Sequence, residues 1–411
     1  MTLPLEHVRV IDISQGWAGP LAAMILADMG AQVFKIESVQ HPDWWRGFAG
    51  NRAVQGEAIW ERSALFNGIA RNKLGATLNL ADPRGVDLLM RLLKVSDLFI
   101  ENFTPRVIEG WSLNYERLRP VNPQLIMISM PGFGLSGPWR DYPALGTTTD
   151  SMSGVAALCG YEGGPPRLQT VSWDPVVGLH GTVALLLALR HRAATGRGQF
   201  IELSHIEAGT SLIAQAVMDY SMNRRIWPRR GNRDWSMAPH GCYRCRGNDD
   251  WLVVAVRSDA EWAALCRVIG RPEMEPDPRF ATVISRLAHQ DVLDKIIEAW
   301  TVQHEHREAM ELLQQGGVPA GAVLSAPELL ANPHLNERGF FEVVDRPFVG
   351  AHPYPGVTIR MSKTPAHIRH PAPTLGQHNR QVLQETLGLS DTDWARLEEA
   401  QVIGTAPIAP R

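Results

Sequence analysis

"VRVIDISQGWAGPLAAMILADMGAQVFKIE", residues 8–37, reads as a strand, a helix and a second strand. Val8 to Ile13 and Gln32 to Glu37 are short runs of the apolar and β-branched residues that strands favour. A helix is expected between them, from Gly19 or Pro20 to Met29, because proline is tolerated in a first turn and Gly30 supplies a left-handed stop. The same alternation continues, with strands expected at Thr77 to Leu80, Asp97 to Glu101, Leu125 to Ser129 and Gln199 to Leu203. Strands alternating with helices argue for an α/β fold built on a parallel sheet covered on both faces.

A strand–turn–helix start with Glu37 twenty-one residues after Gly16 raises dinucleotide binding. The acid suits a ribose hydroxyl, but Ala18 and Leu21 stand where the pattern G-x-G-x-x-G needs glycines. The close approach of a pyrophosphate is therefore not provided for. A second glycine-rich stretch, "PGFGLSGPWRDYP" at 131–143, sets Gly132, Gly134 and Gly137 just past a strand. A loop there keeps its backbone open to a ligand at the C-terminal edge of a parallel sheet, or is a plain turn.

The chain of 411 residues is long enough for one large or two medium domains, and a net charge of -3 gives no global reason to expect nucleic acid or an anionic membrane as partner. The start, "MTLPLEHVRVIDIS", lacks the basic and apolar segments of a signal peptide, and the run "VALLLAL" is too short to span a bilayer. Four cysteines in so long a chain fit a reducing compartment, so the cytoplasm is expected.

From about Asn223 the composition shifts to "NRRIWPRRGNRDW". Its arginines and its tryptophans, Trp227 and Trp235, are the residue types that bind single strands. In a slightly acidic protein they read rather as a solvated linker, or as a clamp for a phosphorylated small molecule. The expected organisation is a large domain over 1–222, a linker over 223–237, a smaller α+β domain over 238–325 and a return to the large domain over 326–411. The smaller domain opens with an expected hairpin, "GCYRCRGNDDWLVVAV". Cys242 and Cys245 lie three apart on a strand and point to opposite faces, so they read as strand cysteines and no metal site is expected.

Asp174, followed by Pro175, opens a long apolar helix. Local chemistry favours a cap, with aspartate at the N-cap and proline at the first helical position. That helix carries Gly178 and Gly181, which allow close backbone approach, and is apolar almost all round, so a central place is expected for it.

Six stretches in this order, "VRVIDISQGWAGPLAAMILADMGAQVFKIE", "RNKLGATLNL", "ENFTPRVIEGW", "NPQLIMISMPGFGLSGPWRDYP", "DPVVGLHGTVALLLALRHRAATGRGQFIEL" and "PAPTLGQHNRQVL", resemble the class III CoA-transferase family, which includes formyl-CoA and carnitine CoA-transferases. The resemblance covers nearly the whole chain. It implies a doubly wound large domain interrupted by a small one, and a homodimer whose chains are threaded through each other like links. It gives Asp174 the role of nucleophile. It also implies CoA lying near "AGP", "RNK" and "ENF", with Ala18, Lys73, Asn102 and Phe103 in the cofactor site and Arg71 and Arg46 as phosphate partners. CoA thioesters would be substrates, and no permanently bound cofactor is expected. Three departures stand out: Trp17 replaces a glutamine of the formyl-CoA transferases, Ser38 and Gly110 replace arginines, and "GNRDWSMAPHG" stands near the place of the oxalate enzymes' glycine-rich lid. Oxalate is thus a poor fit, and the tryptophans lean toward a larger or more apolar acid.

By this resemblance Asp174 would attack the thioester carbonyl of a donor acyl-CoA, giving a mixed anhydride and CoA thiolate, which with an acceptor carboxylic acid rebuild a new thioester. An ordinary carboxylate, with a pKa of about 4, is ionised at neutral pH, so it needs positioning rather than a general base. Backbone amides of the helix start or of Gly132, Gly134 and Gly137 would stabilise the oxyanion. Two rival readings remain. Racemases of 2-methylacyl-CoA share the fold, but Leu145 stands where they carry a histidine, and no histidine occurs between His41 and His180. A non-catalytic CoA-binding subunit is the other.

Overall fold

The computed structural model describes residues 2–47, 57–168 and 173–408. The chain divides into two compact units, one of Met1–Ala156, Leu168–Arg224 and Pro333–Arg411, the other of Ala157–Arg167 and Arg225–Asn332. The arginine-rich stretch read as a linker thus belongs, from Arg225 on, to the smaller unit. Its cations have internal partners: Arg229 donates to the carbonyls of Ala157 and Gly164, and Arg230 stacks 3.3 Å over the ring of Trp235. The smaller unit also runs on to Asn332, past the expected boundary at 325.

The larger unit is built on six strands, β1 (Arg9–Asp12), β2 (Gln32–Glu37), β3 (Lys73–Thr77), β4 (Leu98–Glu101), β5 (Ile126–Ser129) and β6 (Phe200–Glu202). All pair in parallel, in the order β3-β2-β1-β4-β5-β6. Alternate residues fill two cores. Ile11, Phe34, Phe99 and Met127 point to one face, and Val10, Val33, Leu98 and Ile126 to the other.

β3 falls before the expected Thr77 to Leu80. Lys73 and Gly75 disguise it, since a charge and a glycine are poor strand signals. Lys73 is tolerated inside because its ammonium lies 2.9 Å from the Asp12 carboxylate on the same sheet. A side chain at Gly75 would meet Pro373 at 2.8 Å.

Four helices matter for the site: α1 (Ala18–Asp28), α2 (Gly146–Met152), α3 (Asp174–Thr195) and α4 (His205–Leu212). α1 begins within two residues of expectation and ends before Gly30, whose φ of 107° is the left-handed stop. α3 starts one residue early: Asp174 is its first residue, Trp173 precedes it, and Pro175 comes second. α3 is not central within this chain. One face, with Val177, Gly178, Gly181, Leu185 and Ala188, is buried, whereas Leu179, Val183, Leu186 and Leu187 are 43% to 62% exposed.

The smaller unit carries the expected antiparallel hairpin, β7 (His240–Arg244) with β8 (Trp251–Ala255), extended by β9 (Ala320–Ala322). Cys245 is buried and Cys242 half-buried there, both as free thiols. Among the described residues, no helix is long and apolar enough to cross a membrane.

Candidate active site

The strand order reverses between β1 and β4, and at such a switch point the chain ends diverge and open a crevice at the C-terminal edge of the sheet. Here the loop after β1 and the residue after β4 clasp each other. The Asn102 carboxamide accepts from the Gln15 amide at 2.8 Å and donates to the Gln15 carbonyl at 2.8 Å. Gly16 follows with φ 72°, and a side chain on it would meet the Trp44 ring at 2.7 Å, so the turn needs glycine.

A pocket of about 160 Å³ opens at this edge. Gln15, Trp17 and Trp44 form one wall, Asn102 and Phe103 another, and Met130, Gly132, Leu145 and Thr149 a third. Asp174 and His205 complete it. Asp174 arrives at the start of α3, where α3 packs on α1: a Cβ on Gly178 would lie 2.7 Å from the Ala18 carbonyl. His205 arrives at the start of α4. Its amide donates to the Pro131 carbonyl at 3.2 Å, and the next amide to Gly132 at 3.1 Å, which ties α4 to the glycine loop. His205 Nδ1 lies 3.4 Å from Asp174 Oδ1.

On the backbone side, Asp150 of α2 accepts from the Trp173 amide at 3.1 Å, fixing the residue before Asp174. Burial pushes the Asp150 carboxyl up; the Trp173 hydrogen bond opposes this, and the Asp174 charge adds to it. Beneath the pocket, burial pushes the Glu101 carboxyl up to about 7 against the opposing hydrogen bonds of Ser129 and the Phe103 amide.

A second cavity, of about 270 Å³, adjoins the first, because Gln15 and Phe103 line both. Its other walls include Ser38 and His41 after β2, Leu78 to Ala81 after β3, and Trp111. Phe103 and Trp111 meet edge to face with ring centres 5.3 Å apart.

Of the residues expected around the cofactor, Phe103 lines both cavities, Asn102 lines the one that holds Asp174, and Ala18 lies buried at the start of α1, beside Trp17. The cations behave otherwise. Lys73 is wholly buried against Asp12 and the Pro20 carbonyl. Arg46 is buried against Glu37, Glu61 and the Pro373 carbonyl, with its guanidinium 3.6 Å over the Phe66 ring. Lys73, expected in the cofactor site, and Arg46, expected as a phosphate partner, are each held by internal carboxylates and line neither cavity. Arg71 pairs with Asp28 at 2.8 Å and borders a separate groove. Of the three loop glycines, Gly132 lines the Asp174 pocket; Gly134 is buried beside Glu202, and Gly137 is exposed.

Sequence reasoning missed His205. Its one local signal is Ser204 before it, at the N-cap of α4, which marks a helix start at the C-terminal end of a strand.

Comparison with known proteins converges on one family. A family model described as CoA-transferase family III matches residues 5–379. The chain is 34% identical over 401 residues to the succinyl-CoA–D-citramalate CoA-transferase of Chloroflexus aurantiacus, covering 97% of this chain and 98% of that protein. It is 32% identical to the succinate–glutarate CoA-transferase of Agrobacterium fabrum, over 93% of this chain and 95% of that one. The crystal structure of a CAIB/BAIF family protein from Brucella suis superposes with a TM-score of 0.85 at 29% identity, covering 94% of this chain and all of that one.

Proposed function

The chain belongs to CoA-transferase family III and is an enzyme that transfers CoA between an acyl-CoA and an acid, and we propose that it does so through a mixed anhydride on Asp174, with succinyl-CoA as donor. The observation that carries this reading is the position of Asp174, at a helix start facing a pocket on the C-terminal edge of the sheet. The donor follows the relatives, whose names share the succinyl or succinate unit.

In the first half-reaction an Asp174 oxygen forms a bond to the thioester carbonyl carbon, the carbon–sulfur bond breaks, and CoA leaves as thiolate. The acceptor carboxylate then takes the place of the donor acid on Asp174. Finally the thiolate attacks the acceptor's carbonyl, forming the new thioester and freeing Asp174 as carboxylate. No proton is gained or lost over the cycle. The reacting end lies in the smaller cavity, and CoA extends past Gln15 and Phe103 into the cavity lined by Trp111, in contact with Asn102 and the backbone near Ala18. The Gly132 loop and the α3 start offer amides to the oxyanion.

The working assembly in this reading is a homodimer of threaded chains. The bare apolar face of α3 supports it, as does the neighbouring groove that includes Leu21, Leu65, Leu179 and Ile359, because a second copy would remove both from water. Such a dimer is expected to stay intact at nanomolar concentration by mass photometry; a monomer there would rule out threading. The free cysteines support a cytoplasmic location.

The decisive test is Asp174→Asn. The variant is expected to fold with an unchanged melting temperature and lose turnover by orders of magnitude, in a screen of acetyl-, succinyl- and formyl-CoA against carboxylic acids read by mass spectrometry. Wild-type protein given its donor and then hydroxylamine should be modified on the peptide containing Asp174. An active asparagine variant, checked by mass for deamidation, would sink the anhydride. The racemase reading draws on one observation, the histidine beside Asp174; enzyme-dependent deuterium uptake at the α-carbon of a branched acyl-CoA would favour it, and none is expected.

A further inference from the structure

Within the reading of Asp174 as nucleophile, we infer that Asp150 is a positioning residue: from α2 it supplies the cap that the start of α3 lacks, and that contact sets how Asp174 is presented to the pocket. α3 has no side-chain cap of its own. In a capping box, an acid or amide three residues past the N-cap takes the N-cap amide; here that place is Val176, which has no acceptor. Asp150 Oδ1 takes the Trp173 amide instead, at 3.1 Å. Two aspartates thus divide the roles that the sequence offers to one: Asp150 binds the helix start, and Asp174, the first residue of α3, lines the pocket.

Both ends of this contact are fixed. The Ser153 hydroxyl donates to the Asp150 carbonyl at 3.1 Å, and the Thr210 hydroxyl of α4 donates to the Ser153 carbonyl at 3.3 Å. α4 passes so close that a Cβ on Gly209 would lie 2.8 Å from Ser153 and 3.8 Å from the Trp173 ring. On the other side of Asp174, α3 rests on the Ala18 carbonyl of α1 through Gly178. The Asp174 backbone is therefore held between the Trp173 and Gly178 anchors. Thr149, next to Asp150, lines the pocket, so one wall and the nucleophile hang on the same short helix.

Asp150 is wholly buried, and among the described residues its Oδ2 has no hydrogen-bond partner. Burial pushes its carboxyl up, and the Asp174 charge adds to this. The contact does not depend on ionisation, because Oδ1 accepts either as carboxylate or as the carbonyl oxygen of the acid. Asparagine offers the same carbonyl oxygen at the same reach, whereas leucine fills the space without an acceptor. Losing the bond leaves the Trp173 amide unpaired and releases the first turn of α3; a displacement of about 1 Å at a reacting group costs roughly 100-fold in rate.

The test compares Asp150→Asn, Asp150→Leu and Asp150→Ser with wild type and Asp174→Asn, using the donor–acceptor pair of highest wild-type turnover in the screen above. The kcat of the asparagine variant is expected within a few-fold of wild type and that of the leucine variant roughly 100-fold below. KM for the acyl-CoA should stay nearly constant, because Asp150 lines neither cavity. Hydroxylamine trapping on the Asp174 peptide should slow in step with kcat, since the contact acts on the attack itself. A purely structural role would lower melting temperatures and leave the kcat of the folded asparagine and leucine variants alike. Leucine with wild-type kcat, or asparagine as slow as leucine, overturns the inference, while an inactive Asp174→Asn leaves the nucleophile standing. An active Asp174→Asn instead removes the reading beneath it and the inference with it. Should the leucine variant fail to fold, serine, whose hydroxyl falls one bond short of the Oδ1 position, takes its place against asparagine and is expected to be as slow.

Discussion

Both ends of the Asn102 carboxamide are engaged by one residue, Gln15, whose amide it accepts from and whose carbonyl it donates to, each at 2.8 Å. This pair joins the loops after β1 and β4 across the switch point and so sets the wall shared by the two cavities. Asn102→Ala is expected to raise KM for the acyl-CoA about 10-fold and to cost about 2 kcal/mol of stability, near 1 for each hydrogen bond lost. Asn102→Asp should be no better, because a carboxylate would face the Gln15 carbonyl. Steady-state kinetics and urea unfolding check both; an unchanged KM in the folded variants would uncouple the clasp from CoA.

Glu101 makes stability depend on pH. Its carboxyl, raised from 4.5 to about 7 by burial, keeps a proton in the folded state that the unfolded chain releases. Stability from this group is therefore intact below pH 4.5 and falls as pH rises to about 7. Glu101→Gln should flatten that slope and gain up to roughly 3 kcal/mol over wild type at pH 8. Urea unfolding at pH 5 and pH 8 measures it, and parallel profiles for the two proteins would refute it.

Arg46 neutralises Glu37 and Glu61 where water does not reach. Removing it leaves the buried Glu37 carboxylate without its guanidinium partner, while Glu61 keeps Arg346 at 2.6 Å, so Arg46→Ala is expected to cost about 3–5 kcal/mol or to prevent folding. A phosphate contact would show the opposite pattern, a raised KM for acyl-CoA at an unchanged melting temperature. Thermal unfolding beside kinetics separates the two.

Gly178 and Gly181 both lie on the buried face of α3, but their surroundings differ. A Cβ at 178 would press the Ala18 carbonyl at 2.7 Å, whereas at 181 the nearest atom is the flexible Met130 sulfur at 3.0 Å. Gly178→Ala is expected to cost about 1–3 kcal/mol and to lower kcat by pushing α1 and Trp17 away from the Asp174 end. Gly181→Ala should be milder on both measures. Differential scanning calorimetry and turnover numbers test the order, which a reversal would contradict.

The sequence by itself determined the parts that depend on local chemistry. β2 falls at its expected residues, β1, β4, β5 and β6 within one residue at each end, and the β7–β8 hairpin follows its turn, because side-chain alternation and Gly or Pro punctuation act over a few neighbouring residues. Asp174 was legible as a residue of note from its place before a proline and a long apolar run, and from six ordered stretches of resemblance. Tertiary structure decided what distance along the chain conceals. Lys73 and Arg46 read like any surface cation until Asp12, Glu37 and Glu61 close around them. The apolar circumference of α3 reads as a core helix, yet within one chain only half of it finds a partner. His205 and Asp174 belong to separate helices and meet only because α4 is hung from the Pro131–Gly132 loop and α3 rests on α1. Periodicity reports which face of an element is apolar; it carries no information about which charged or polar group the fold will bring against it, since that pairing depends on burial and on chain crossings far apart in sequence.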